Sequence, residues 1–115
     1  MYMNKQIIWG WTNKPATRES VLNHVGPGWH PLVNSLIDDL FELGWNGGLV
    51  QIKEKFGGLR FYIGHGNEAI WNRISLAEKN SYKICEECGE AGHRREGSWM
   101  KTLCDKHAKE MGYED

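Results

Sequence analysis

The sequence lacks any apolar run near the roughly 20 residues that a bilayer-spanning helix needs, which argues against an ordinary membrane span. Its opening stretch, MYMNKQIIWGWTNK, has too short an apolar run for the central region of a signal peptide, so a cytoplasmic location is expected. An excess of one charge is also missing. A net charge of −1 over 115 residues argues against a general nucleic-acid coat, which would be strongly basic, while leaving room for a local basic patch. Cysteine is scarce. Three residues, Cys85, Cys88 and Cys104, are an awkward number for a disulfide framework, and a reducing cytosol disfavours one. Internal repeats and low-complexity segments are absent. What is present is a globular composition, 40% hydrophobic, long enough for one domain and a small appendage. Six tryptophans is a high count for this length, and such rings anchor cores and interfaces alike.

Hydrophobic spacing divides the chain. Ile7, Ile8, Trp9 and Trp11 give residues 1–12 a strand-like character. Thr17 is a cap for a short helix carrying Val21, Leu22 and Val25, which GPG at 26–28 ends. Residues 31–43 form the clearest helix: Leu32, Val33, Leu36, Ile37, Leu40 and Phe41 share one face, Pro31 suits its start and Gly44 its stop. A second helix is expected from Asn67, its cap, to about Asn80, with Ile70, Ile74 and Ala77 inward.

Between the two helices, residues 49–64 read as a β-hairpin around Gly57-Gly58. That loop pairs Phe56 with Leu59, Lys55 with Arg60, Glu54 with Phe61 and Lys53 with Tyr62. Val50, Ile52, Glu54, Phe56, Leu59, Phe61 and Ile63 then form the core face. Glu54 among them should reach an edge or find a partner, such as Arg73, a histidine or a tryptophan indole N–H, because a buried unpaired carboxylate is costly. The opposite face holds Lys53, Lys55, Arg60 and Tyr62. Like charges facing each other cost about 0.2–1 kcal/mol. Residues 49–66 are net +2, with three cations against Glu54. Cations beside an aromatic ring suit a nucleotide, a phosphate backbone or an acidic protein surface. Equally, these cations could pair with the tail, where residues 83–115 hold six Lys or Arg against eight Asp or Glu.

The tail carries the strongest chemical signal. Cys85-x2-Cys88, fifteen residues, then Cys104-x2-His107 is the spacing of a tetrahedral zinc site. The order of knuckle, hairpin and ligands in a helix's first turn is treble-clef-like. Cys104, His107, Ala108 and Met111 lie on one side of that helix. His93 is an alternative fourth ligand. Four protein ligands leave no open position, so the zinc is read as structural, and its removal should melt residues 83–115.

Four stretches carry a resemblance: GPGWHPLV (26–33), QIKEKFGGLRFYIG (51–64), AEKNSYKICEECGEAG (77–92) and W-x2-TLC-x2-H (99–107). Over residues 26–107 the chain resembles a group of small phage and prophage proteins. The resemblance implies an accessory protein of the bacterial cytoplasm that acts by binding.

The combined expectation is an α+β fold. Residues 1–82 form helices packed on a hairpin or small antiparallel sheet, and 83–115 form a zinc module. With no convergent acid–base pair or nucleophile, a binding protein is expected rather than an enzyme. Its partner would be nucleic acid or a nucleotide, held by Lys53, Lys55, Arg60 and Tyr62 with help from Arg94 and Arg95. A second reading is a protein–protein inhibitor of a host factor, such as a defence system, using tryptophans among Trp9, Trp11, Trp45 and Trp99. The third is a metal-dependent nuclease of the HNH type centred on His93.

Overall fold

The helix that the spacing predicts most clearly organises the first core. The computed structural model describes residues 5–113. In it α2 runs His30–Glu42, entered through a 3-10 turn, Pro27–Trp29. Gly44, at φ 101°, ends it as expected. Val33, Leu36, Ile37 and Leu40 are fully buried in one core with Trp29. A short helix, α1 (Arg18–Leu22), precedes it, and Thr17 caps it by accepting from the Ser20 N–H. The later helix, α3 (Glu68–Ser81), starts at Asn67, whose side chain accepts from the Ile70 N–H. Ile70, Ile74 and Ala77 face the core, and Arg73 joins α3 to Asp39 of α2 at 2.7 Å.

Four strands complete this core: β1 (Ile7–Trp9), β2 (Lys14–Ala16), β3 (Gly48–Lys55) and β4 (Gly58–Ile63), in the order β2-β1-β3-β4. The expectation of an antiparallel sheet needs correction. β1 runs parallel to β3, because α1 and α2 supply the crossover that a parallel neighbour requires. The strand-like reading of residues 1–12 is met over Ile7–Trp9, and residues 1–4 lie outside the described residues. β2 holds Pro15 and stands at the sheet's edge, where a missing N–H is tolerated. At the other edge, side chains of α3 serve β4: the Leu59 N–H donates to Ser81 Oγ and the Phe61 N–H to Glu78 Oε2.

The hairpin is present, but its register differs from the expectation. Its loop is Phe56-Gly57, at φ 56° and 82°, and Gly58 belongs to β4. Lys53 therefore faces Arg60, Glu54 faces Leu59, and Gln51 faces Tyr62. Two contacts fix this register. The Glu54 carboxylate accepts from the Gly57 N–H at 2.7 Å, which is the partner Glu54 needed. The Tyr82 ring lies over Gly58, so close that a Cβ there would come within 2.3 Å of it. The alternation of faces survives the slip except at two places. A bulge at Val50 turns Leu49 inward instead, and Phe56 stands exposed on the turn.

The tail folds as β5 (His93–Arg95), β6 (Lys101–Leu103) and α4 (Asp105–Glu110). Its own core is small: Cys85, Leu103 and Ala108, with Cys104 and Tyr113 against them. Met111, expected on that inner side, is exposed. The tail is seated on residues 1–82 at two places. The Gly28 N–H donates to the Glu86 carbonyl at 2.7 Å, and the Trp29 indole N–H to the Ile84 carbonyl at 2.8 Å. Thr102 Oγ1 donates to the Gly57 carbonyl at 2.6 Å. A Cβ on Gly28 would lie 2.0 Å from the Cys85 carbonyl oxygen, so the GPGW turn and the first cysteine pair touch backbone to backbone. Gly28→Ala is expected to cost at least about 2 kcal/mol through overpacking, read as a lower urea midpoint.

Candidate metal centre and basic face

Cys85 and Cys88 sit in a tight turn. The Gly89 N–H donates to the Cys85 carbonyl at 2.9 Å, the Cys85 N–H donates to the Glu90 carbonyl at 2.8 Å, and Gly89 takes φ 84°. Such a turn aims both sulfurs at one point. Cys104 is the N-cap of α4, its sulfur accepting from the His107 N–H at 3.4 Å, so Cys104 and His107 share the first turn. That hydrogen bond is the leading cause that lowers the Cys104 thiol to about 7, favouring the thiolate form that binds metals.

The ligand atoms of Cys85, Cys88, Cys104 and His107 all lie within 4.8 Å of one another. Cys88 Sγ is 3.8 Å from Cys104 Sγ, and His107 Nδ1 is 3.7 Å from Cys85 Sγ and 3.3 Å from Cys104 Sγ. A tetrahedron with metal–sulfur bonds of about 2.3 Å and metal–nitrogen bonds of about 2.0 Å has S–S edges of about 3.8 Å and S–N edges of about 3.5 Å. The four residues thus fit one ion of zinc's size and preference, and the group can hold a metal ion. Among the described residues it is the one such cluster. Of the two candidate fourth ligands, His107 joins the cysteines. His93 stands on β5, paired with Leu103, outside the group.

Sequence spacing does not disclose what supports these ligands. Glu86, between the first two cysteines, is 2% exposed. Its carboxylate accepts from the Thr102 N–H at 2.8 Å and from Lys101 Nζ at 3.2 Å, while burial pushes its carboxyl above the usual carboxylate range. Arg95, expected on the anion-binding face, is a correction of the same kind. It is 2% exposed, donates to the Leu103 carbonyl, and pairs with Asp105 at 2.8 Å, which holds the Asp105 carboxyl below its usual range. Its guanidinium therefore braces the module internally and does not face solvent.

The other expected binding residues remain on the surface. Lys53 and Arg60 face each other across β3 and β4, and Tyr62 is exposed beside them, opposite Gln51. Lys55 lies above the Phe56 ring at 5.6 Å. Among the described residues none of Lys53, Lys55 and Arg60 forms an ion pair, so pairing with the tail's carboxylates is not found there; Glu114 and Asp115 lie outside the described residues. Arg60 Nη1 donates to the Tyr82 hydroxyl at 3.2 Å, and the Arg94 guanidinium lies 6.0 Å from the centre of the same ring. Tyr82, unnoticed in the sequence, therefore links the hairpin's cations to the cation of β5. Arg94 also approaches Glu96 at 3.7 Å.

The tryptophans divide. Trp29 and Trp45 are buried, and the Trp45 ring packs on Phe41 and Phe61, so Trp45 is not available to a partner. Trp9 is half-buried, between Trp11 and His24. Trp11 is 71% exposed and Trp99 67%, and Trp71 of α3, unflagged by its sequence context, is also exposed. Among the described residues no helix is long and apolar enough to cross a membrane. Comparisons with family models, with curated proteins and with solved structures return no match.

Cys104→Ser is expected to abolish stoichiometric zinc and to lower the soluble yield, whereas His93→Ala keeps a full equivalent of zinc by elemental analysis. A zinc-free Cys104→Ser protein with wild-type stability would contradict the structural assignment of the site.

Proposed function

We propose that this chain is a non-enzymatic binding protein. A structural zinc ion rivets its treble-clef-like module, and the exposed hairpin face holds an anionic partner, a nucleic acid or nucleotide. The observation that carries this reading is the Lys53–Arg60 pair. Two half-buried cations stand directly opposite, and among the described residues neither forms an ion pair, although the Glu78 carboxylate is near enough to favour the charged Arg60; like charges so placed cost stability, and a phosphate would relieve that cost. Tyr62 beside them supplies a flat ring for stacking, and Arg94 carries the charge onward past Tyr82. Arg95 is left out of this surface because it is spent inside the module.

The zinc is structural on this reading because Cys85, Cys88, Cys104 and His107 supply the whole of a four-coordinate shell. The knuckle, the β5–β6 hairpin and the ligand-bearing start of α4 follow one another in the order that a treble clef requires. The resemblance to phage and prophage proteins extends the proposal to an accessory role in a bacterial cytoplasm. A second reading, a protein–protein inhibitor of a host factor, is favoured by Trp11, which stands clear of the sheet beside a cleft with Trp9 and His24. A nuclease centred on His93 has less support, since His93 stands apart from the metal cluster.

The double variant Lys53→Glu with Arg60→Glu is expected to retain zinc and circular dichroism while binding oligonucleotide much more weakly. With each phosphate contact contributing about −0.9 to the slope of log K against log salt, removing two contacts should flatten that slope by about two. Binding that survives the double variant with an unchanged slope would refute the hairpin face as the anion site.

A further inference from the structure

The hairpin tip contains a strained residue whose side chain the core does not use. Phe56 occupies the first central position of a turn in which both central residues have positive φ, at 56° and 82°. Asn or Gly takes that position without penalty, and a bulky aromatic does so only under strain. Burial does not offset the cost, because Phe56 is 56% exposed. Across a gap stands Trp99, still more exposed, on the loop between β5 and β6. The Tyr113 hydroxyl donates to the Trp99 carbonyl and anchors that loop. Phe56, Trp99 and Met100 line a cleft of about 320 Å³ with Lys55 and Glu54 beside them, the Glu54 carboxylate being held by the Gly57 N–H. The walls come from different parts of the chain, and the Thr102–Gly57 hydrogen bond fixes their separation.

The cleft's chemistry selects among occupants. An apolar peptide side chain would cover the rings but bring no anion to Lys55, Lys53 and Arg60, none of which forms an ion pair among the described residues. A nucleobase joined to a phosphate answers both requirements: its ring stacks on an aromatic wall and its phosphate meets a cation. The volume lies at the small end of ligand sites, which run roughly 300–1,000 Å³, and so suits one planar ring system. A base stacked and paired in a duplex cannot enter.

We propose that this cleft receives one unstacked base of a single-stranded nucleic acid, with Lys55 on its phosphate and the strand continuing over Lys53 and Arg60. The proposal rests on the anionic-partner reading above and narrows it from nucleic acid or nucleotide to single strands.

The test uses the zinc-loaded full chain, a fluorescent oligo(dT) and a duplex of equal length, read by anisotropy across a salt series. The single strand is expected to bind more tightly than the duplex. Phe56→Gly should raise the urea midpoint, since the turn relaxes, and yet weaken oligo(dT) binding by roughly tenfold. Trp99→Ala should weaken binding similarly and leave the salt slope unchanged, because the phosphate contacts remain. Equal affinity for duplex and single strand would overturn the proposal. So would wild-type oligo(dT) affinity in both Phe56→Gly and Trp99→Ala; if Lys53→Glu with Arg60→Glu loses binding in the same assay, the cleft fails and the basic face stands. No binding of either oligonucleotide by the wild-type chain would overturn the face and the cleft together.

Discussion

The structure depends on how residues 83–113 are seated on the rest, and Glu86 is the residue through which that seating runs. Its carbonyl receives the Gly28 N–H, its N–H donates to the Thr102 carbonyl, and its carboxylate receives the Thr102 N–H. The Thr102 hydroxyl then donates to Gly57. One line of hydrogen bonds thus joins the GPGW turn, the first cysteine pair, β6 and the hairpin tip. A buried carboxylate is stable only when such partners surround it. Glu86 lies between Cys85 and Cys88, so the segment that carries two of the candidate metal ligands is also the one that contacts the first 82 residues.

This seating changes the meaning of the FGG sequence at the hairpin tip. Gly57 and Gly58 look like turn punctuation, but each also clears space for a distant part of the chain. Arg94 side-chain atoms would lie about 3.1 Å from a Cβ on Gly57, and Tyr82 even closer to one on Gly58. Arg60 reaches this contact through the Tyr82 hydroxyl, while Lys53 and Lys55 lie alongside it. The hairpin tip is thus a joint, and in the proposed function its flanks meet the partner.

Much of this was legible in one dimension, for definite physical reasons. Helical periodicity placed α2 and α3, because a stripe of apolar residues has few other ways to be buried. Metal spacing named Cys85, Cys88, Cys104 and His107, because four ligands around one small ion tolerate little variation in geometry. The hairpin register was misread because two adjacent glycines offer two possible turns. The choice between them is made by Glu54 from within the hairpin and by Tyr82 from twenty-four residues beyond Gly58. Long-range partnerships of this kind leave no periodic trace. The same holds for Glu86, for Arg95 turned inward onto Asp105, and for Ser81 and Glu78 on the flank of β4. β2 escaped notice because Pro15 argues against a strand unless the strand is known to be an outer one.

The outer strands also govern how this molecule can meet others. β4 has already committed the N–H groups of Leu59 and Phe61 to α3, and β2 presents a proline that has no N–H to offer. Both flanks of the sheet are therefore poor templates for a strand from another chain. Both edges thus offer few main-chain groups for continuous pairing, the usual hazard of a small open sheet. In the proposed function, recognition falls to side chains on the sheet's open face and at its tip, where single substitutions would alter a partner's fit without unravelling the strands beneath.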